Sequence, residues 1–122
     1  MHEISSSAVE LADFEAVRRV EGFEHIRAEF PAYLTDESKF SCQPFDFLFF
    51  PRSEAELAAV MKAMAARGVK VTIAGARTGL VGGCVPNQGA LVSLENFDRV
   101  LALYFDGPSA EWRLKAQCAA SL

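Results

Sequence analysis

Between positions 74 and 84 the chain reads Ala74-Gly75-Ala76-Arg77-Thr78-Gly79-Leu80-Val81-Gly82-Gly83-Cys84, which gathers four of its eight glycines into one short stretch. Glycine has no Cβ and tolerates positive φ, so such a loop can turn consecutive backbone N–H groups onto a single anion. A pyrophosphate suits that chemistry. Arg77 and the Thr78 hydroxyl are the side chains positioned to help, by charge and by hydrogen bonding. The plain alternative is a tight connection that holds nothing, and spacing alone leaves both readings open.

Two familiar phosphate-binding templates do not fit. A P-loop needs Gly-Lys followed by Ser or Thr where a helix starts, and no Lys stands between Lys70 and Lys115. The Rossmann fingerprint runs G-x-G-x-x-G into a helix whose N-terminus faces the phosphates; here Gly75 and Gly79 are four apart, and Gly82-Gly83 is followed by Pro86 and Gly89. No helix can follow promptly. An anion in this loop must be held by loop amides between two strands.

Other chemistry is thinly represented. Cys42, Cys84 and Cys118 are odd in number and widely spaced, with no C-x-x-C and no nearby His, which argues against structural zinc and against a disulfide framework. Cys84 reads as a small buried thiol, because nothing close by in sequence would lower its pKa. His2 and His25 lack a local partner for acid–base work and read as structural or solvent-facing. No catalytic base, nucleophile or metal cluster is evident, so no catalytic residue is assigned.

The elements that must position the loop follow from periodicity and punctuation. Ser7-Ala8-Val9-Glu10 is a capping box and predicts a helix start. Val17, Val20, Phe23, Ile26 and Phe30 continue at steps of three and four as one apolar stripe, with Gly22 a weak point and Pro31 the stop. Residues 32–43 read as a polar surface connection. Phe45-Asp46-Phe47-Leu48-Phe49-Phe50 predicts a buried strand closed by Pro51. A second capping box, Ser53-Glu54-Ala55-Glu56, opens a helix carrying Leu57, Val60, Met61 and Met64 and ending at Gly68. Those methionines read as core packing.

Residues 69–73 then form a strand leading into the glycine loop, completing a β-α-β unit. Residues 90–94 and 100–105 read as further strands. Asp106-Gly107-Pro108-Ser109 predicts a turn into a last strand, with Trp112, Leu114, Ala116 and Cys118 alternating against Arg113, Lys115 and Gln117. Without a convincing helix between them, the later strands belong to an antiparallel or mixed sheet. The fold class is therefore α+β. No repeat or low-complexity segment interrupts it.

Composition bounds the function classes. With 51% hydrophobic and 23% charged residues over 122 positions, the chain can bury a core, which excludes disorder. Its 12 basic against 16 acidic side chains supply no field for nucleic acid. No apolar run nears the roughly 20 residues of a membrane span. The start lacks the basic and apolar regions of a secretory signal, so a cytoplasmic location is expected.

The order of motifs adds a sharper expectation. Phe50-Pro51-Arg52-Ser53-Glu54-Ala55-Glu56-Leu57, the helix ending at Gly68, and Val71-Thr72-Ile73-Ala74-Gly75-Ala76-Arg77-Thr78-Gly79-Leu80-Val81-Gly82-Gly83 together resemble the FAD-binding domain of the vanillyl-alcohol oxidase and p-cresol methylhydroxylase (PCMH-type) flavoprotein family. Tyr33-Leu34-Thr35-Asp36-Glu37-Ser38 and Leu91-Val92-Ser93-Leu94-Glu95-Asn96-Phe97-Asp98-Arg99-Val100 resemble segments of its branch that holds D-lactate dehydrogenases and the flavin-carrying subunit of glycolate oxidase. The likeness runs from about Tyr33 to the C-terminus.

The resemblance implies a helical lead over residues 1–31 and a partial FAD-binding domain over 32–122. It implies that Gly75, Ala76, Arg77, Thr78 and Gly79 offer backbone amides to the FAD pyrophosphate, that Gly82 and Gly83 allow close approach, and that Pro51 lies near the adenine. Relatives that attach flavin covalently through this loop use a His where this chain has Thr78, so FAD is expected to bind non-covalently. Arg77 stands where the family commonly has a glycine; its side chain is open to phosphate, solvent or a carboxylate partner.

By the same resemblance, Ala116-Gln117-Cys118-Ala119-Ala120-Ser121-Leu122 is similar to the strand leading to the family's Ala-Gly-x-Ser-Leu segment, with Ala119 or Ala120 where a glycine is usual. The substrate pocket lies in later parts and a cap domain, so this chain is expected to be inactive alone. The implied activity is oxidation of a small 2-hydroxy acid by hydride transfer to flavin. A free-standing flavin or nucleotide module, and a truncated remnant that self-associates through open sheet edges, are the alternatives.

Overall fold

The computed structural model describes residues 12–79 and 82–121. The capping box at Ser7 and His2 lie outside the described residues. The remainder of the lead departs from the expected single helix. Asp13 caps a 3-10 turn at Phe14–Ala16, a short strand β1 follows at Arg19–Glu21, and helix α1 occupies only Phe23–Glu29. Gly22 adopts φ +88°, a left-handed conformation that no helix interior can contain. The stripe of apolar residues is nonetheless core: Val17, Val20 and Ile26 are buried. Their helical spacing arises from a turn, a strand and a helix in succession.

A second 3-10 turn at Pro31–Leu34 precedes strand β2 at Phe47–Phe49. Helix α2, Glu54–Ala66, begins as its sequence predicts: the Ser53 side chain accepts from Glu56 N–H at 3.2 Å, and the Glu56 carboxylate accepts from Arg52 N–H at 2.7 Å. Gly68 stops it at φ +64°. Strand β3 spans Val71–Ala74, β4 Ala90–Ser93, β5 Val100–Asp106 and β6 Glu111–Ala116.

The first four strands make one mixed sheet in the order β1-β2-β4-β3, with β1 antiparallel to β2 and β4 parallel to both β2 and β3. The expected β-α-β unit is therefore present with a third parallel strand inserted in its middle. Both sheet faces are covered. Phe49, Ala90 and Val92 pack with Val60 and Met64 of α2 and with Val17, while Leu48, Leu91 and Ala74 pack with Ile26 of α1 and with Leu34. Alternate strand residues thus enter opposite cores, as the period of two requires. Strands β5 and β6 form a separate antiparallel hairpin. Its turn is tied by Asp106, whose carboxylate accepts from Ser109 Oγ at 2.8 Å and Arg113 Nε at 2.9 Å.

Candidate functional site

Parallel strands β2, β3 and β4 present their carboxyl ends on one side of the sheet, where ligands of open α/β sheets commonly bind. The glycine loop leaves β3 there and must return along the sheet to enter β4 parallel to it. At that end Leu94 N–H donates to the Ala74 carbonyl at 2.8 Å, which holds the start of the loop beside the exit from β4.

A cavity of about 370 Å³ opens at this junction, lined by Gly75, Ala76, Glu95, Asp98, Ala119 and Ser121. The glycine loop, the segment after β4 and the C-terminal residues meet in it. Arg77 and Ala76 also border an adjoining cleft of about 280 Å³ with Ala32, Thr35, Asp36, Glu37 and Lys39. Gly75 and Ala76 are thus brought to the cavity together. Thr78 and Gly79 follow on the exposed crest of the loop, and Gly82 and Gly83 lie on its returning limb.

The glycines separate into two kinds. Gly82 (φ +76°) and Gly89 (φ +75°) are required by the fold: a Cβ at Gly82 would lie 2.4 Å from the Phe40 ring, and one at Gly89 would lie 2.2 Å from the Lys70 carbonyl oxygen. Gly75 and Gly83 have ordinary φ, and a Cβ there would meet nothing within 4 Å. Internal packing gives no reason for these two. Gly75 also stands in the wall of the cavity, where its bare backbone leaves room for a phosphate group. That fits the loop-amide chemistry of a pyrophosphate, with Gly75, Ala76 and the amides that follow as the residues that would hold it.

Arg77 takes a left-handed φ of +58°, which explains how a glycine also suits this position. Its guanidinium lies 4.2 Å from the centre of the Tyr33 ring. That placement is a stack on an aromatic ring, with no carboxylate paired to Arg77 among the described residues. Tyr33 is fixed in turn: it packs edge-on against Phe50 at 5.5 Å, and its hydroxyl donates to Glu95 Oε1 at 2.7 Å. Burial and then the Glu95 carboxylate raise the Tyr33 pKa, so the phenol stays a donor. Ser93 Oγ donates to the same Glu95 oxygen at 3.3 Å.

Cys84 is half-buried rather than buried, and its thiol donates to Asp36 Oδ2 at 3.7 Å. Desolvation first, and the Asp36 charge second, push the Cys84 pKa up, which disfavours a reactive thiolate. Pro51 is fully buried and offers no free face to a ring. His25 is exposed and pairs with Glu29 at 3.1 Å within α1. Glu95, Asp98, Ala119 and Ser121 were not singled out as site residues by sequence reasoning. The only signal for them was the placement of their two segments after the loop and at the C-terminus.

No helix among the described residues is long and apolar enough to cross a membrane. Compared with known proteins, the chain resembles in fold the crystal structure of CrmK, a flavoenzyme involved in the shunt product recycling mechanism in caerulomycin biosynthesis. The TM-score is 0.56 at 19% sequence identity, and the likeness covers 86% of this chain and 20% of that one. The chain therefore spans about a fifth of that protein's length. No curated protein sequence matches significantly. The family model of the FAD-binding domain matches residues 45–122, a stretch that takes in β2, α2, the glycine loop and the hairpin. With that match over more than half of its length, the chain belongs to the FAD-binding domain family and has an α+β fold containing part of such a domain.

Proposed function

We propose that the chain supplies the pyrophosphate-holding part of a cytoplasmic FAD-linked oxidoreductase of the glycolate oxidase and D-lactate dehydrogenase kind. Its partial FAD-binding domain covers residues 32–122, and the lead before it adds β1 to the sheet. Gly75, Ala76, Arg77, Thr78 and Gly79 hold the cofactor through backbone amides, and Gly82 and Gly83 shape the returning limb. The observation that carries this reading is Gly75: an unstrained glycine whose missing Cβ faces open space, in the wall of the cavity at the carboxyl end of β3.

Bound FAD supplies the hydride-accepting chemistry for oxidising a 2-hydroxy acid to the 2-oxo acid. The chain's own part is to bind and orient. Thr78 in place of a flavin-linking His supports non-covalent attachment. The test is a fluorescence titration of the chain with FAD, alongside Gly75→Val. The expected result is saturable quenching in the parent chain, weakened at least about ten-fold in the variant with an unchanged circular dichroism spectrum, since a Cβ branch enters the anion's space. Flavin recovered from the complex should leave entirely on acid denaturation; retention on the polypeptide would refute non-covalent binding. Equal affinity in both chains would refute the loop as the site.

The hairpin favours a second reading, self-association. Leu103, Phe105, Trp112 and Leu114 are all more than half exposed on it. Sedimentation at increasing concentration tests this: a rising weight-average mass supports it, and a constant monomer refutes it.

A further inference from the structure

The described residues of the glycine loop are contacted by one upstream segment, residues 33–40, which reads in sequence as the middle of a polar surface connection. Tyr33 receives the Arg77 guanidinium on its ring at 4.2 Å. Asp36 Oδ2 receives the Cys84 thiol at 3.7 Å and lies at 3.7 Å from where a Gly79 Cβ would stand. Phe40 covers Gly82 so closely that a Cβ would meet its ring at 2.4 Å. Tyr33 thus meets the loop at Arg77, Asp36 meets it at Gly79 and Cys84, and Phe40 meets it at Gly82.

Asp36 is the centre of the arrangement. Its side chain divides its work between two oxygens. Oδ1 accepts from Ser38 N–H at 2.8 Å and from the Ser38 hydroxyl, which folds residues 36–39 into a turn, with Lys39 N–H closing on the Asp36 carbonyl at 3.3 Å. Oδ2 faces the glycine loop and receives the Cys84 thiol, and the Gly82 backbone N–H also bonds to the carboxylate. The residue is only 5% exposed, although it is an acid in a segment of polar composition. Burying a carboxylate is costly unless its lone pairs are taken up, and here Ser38 donors hold Oδ1 while the Cys84 thiol reaches Oδ2.

We infer that Asp36 is the positioning residue of the glycine loop, holding its returning limb at the distance at which the amides near Gly75 can close on an anion. This rests on the reading of the loop as an FAD pyrophosphate site. Asp36 does not line the cavity that contains Gly75; it borders the neighbouring cleft behind Ala76 and Arg77. It acts through the loop, and the acid is placed where it orders donors without standing among the phosphate-facing residues.

The experiment uses the full chain with Asp36→Asn, which keeps shape and removes charge. Three quantities are read: amide hydrogen exchange of residues 79 and 82–85 without ligand, the pH profile of iodoacetamide alkylation on the Cys84 peptide, and FAD affinity. Loop exchange is expected to rise about ten-fold or more, the fold-change of losing a charge-assisted bond. The Cys84 profile is expected to move to lower pH, because a negative neighbour has gone. FAD affinity is expected to fall by a similar factor. Unchanged loop exchange together with an unmoved thiol profile overturns the inference.

If exchange and thiol respond but the parent chain binds no FAD, the positioning role of Asp36 stands and the cofactor reading fails. If the parent binds FAD and the variant binds it equally, the cofactor reading stands and the positioning role fails. Should Asp36→Asn not fold, Phe40→Ala carries the test, since Phe40 is 60% exposed and outside both cores. Raised exchange at Gly82 then supports the segment as the loop's scaffold, and unchanged exchange overturns it.

Discussion

Strands β4 and β6 make an instructive pair. Both are short and both lie in the region matched to the FAD-binding family, yet every residue of β4 is buried and every residue of β6 is exposed. The three charged residues of β6 account for part of this but not for Trp112 and Leu114, which are exposed although they are apolar. Neighbours account for it. β4 has a parallel strand on each edge and a helical layer on each face, whereas among the described residues β6 has β5 on one edge and no layer packed over either face. The ring contact of Trp112 is with its hairpin neighbour Phe105, edge-on at 5.6 Å. Stability in this chain therefore resides in the four-stranded sheet, and the hairpin contributes apolar surface without burial.

That contrast can be broken most decisively in the core. Phe49→Ala empties a site between β2 and α2 and should cost about 3–5 kcal/mol in urea denaturation followed by circular dichroism. A loss of equal size from Trp112→Ala would end the distinction between the two regions. Next in size is Gly89→Ala, where a left-handed φ and a backbone carbonyl in the way should together cost roughly 2 kcal/mol or more; an unaffected midpoint would mean that the entry to β4 is free to move.

The pH dependence sharpens the comparison further, because it should originate on the sheet side. Ser38 hydrogen bonds hold the Asp36 carboxyl below its usual range. The unfolded chain then takes up this proton at higher pH than the folded one, so the stability Asp36 contributes is complete above the ordinary carboxylate pKa. It is lost as pH falls through the lowered folded value. The urea midpoints of parent and Asp36→Asn should accordingly converge on acidification; a gap constant with pH would refute the assignment. The smallest effect is expected in the hairpin, where Leu103→Ala and Trp112→Ala should each change stability by no more than about 0.5 kcal/mol. A loss in either well beyond that would reveal a packing partner for the hairpin, within the chain or in a second copy of it.

Much of the sheet and its helix could be read from the sequence, where local chemistry decides structure. Ser53, Glu56 and Gly68 mark both ends of α2, and β2 to β6 fall within a residue or two of their expected places except where strands fray. The lead does not show its structure locally, because Val17, Val20, Phe23 and Ile26 keep helical spacing while Gly22 turns the chain between a strand and a helix. Insertion of β4 between β2 and β3 had no local signal, since pairing partners are chosen by the whole sheet. The candidate site divides similarly. Gly75 and Gly82 stand out by composition, but only coordinates separate the glycine that the fold requires from the one that it does not. The contacts of Tyr33, Asp36 and Phe40 with the loop join residues far apart in sequence, which no local pattern reports.

The position of β4 in the sheet also dictates an order of events during synthesis. The strand in the middle, flanked by β2 and β3, is the last of the four to leave the ribosome. Until Ser93 has emerged, β2 and β3 have no common neighbour, and each exposes an unpaired edge to whatever lies nearby. The bond from Leu94 N–H to the Ala74 carbonyl, which ties the start of the glycine loop, can form only once β4 lies beside β3. A nascent chain stalled before β4 therefore carries an incomplete sheet with two open strand edges.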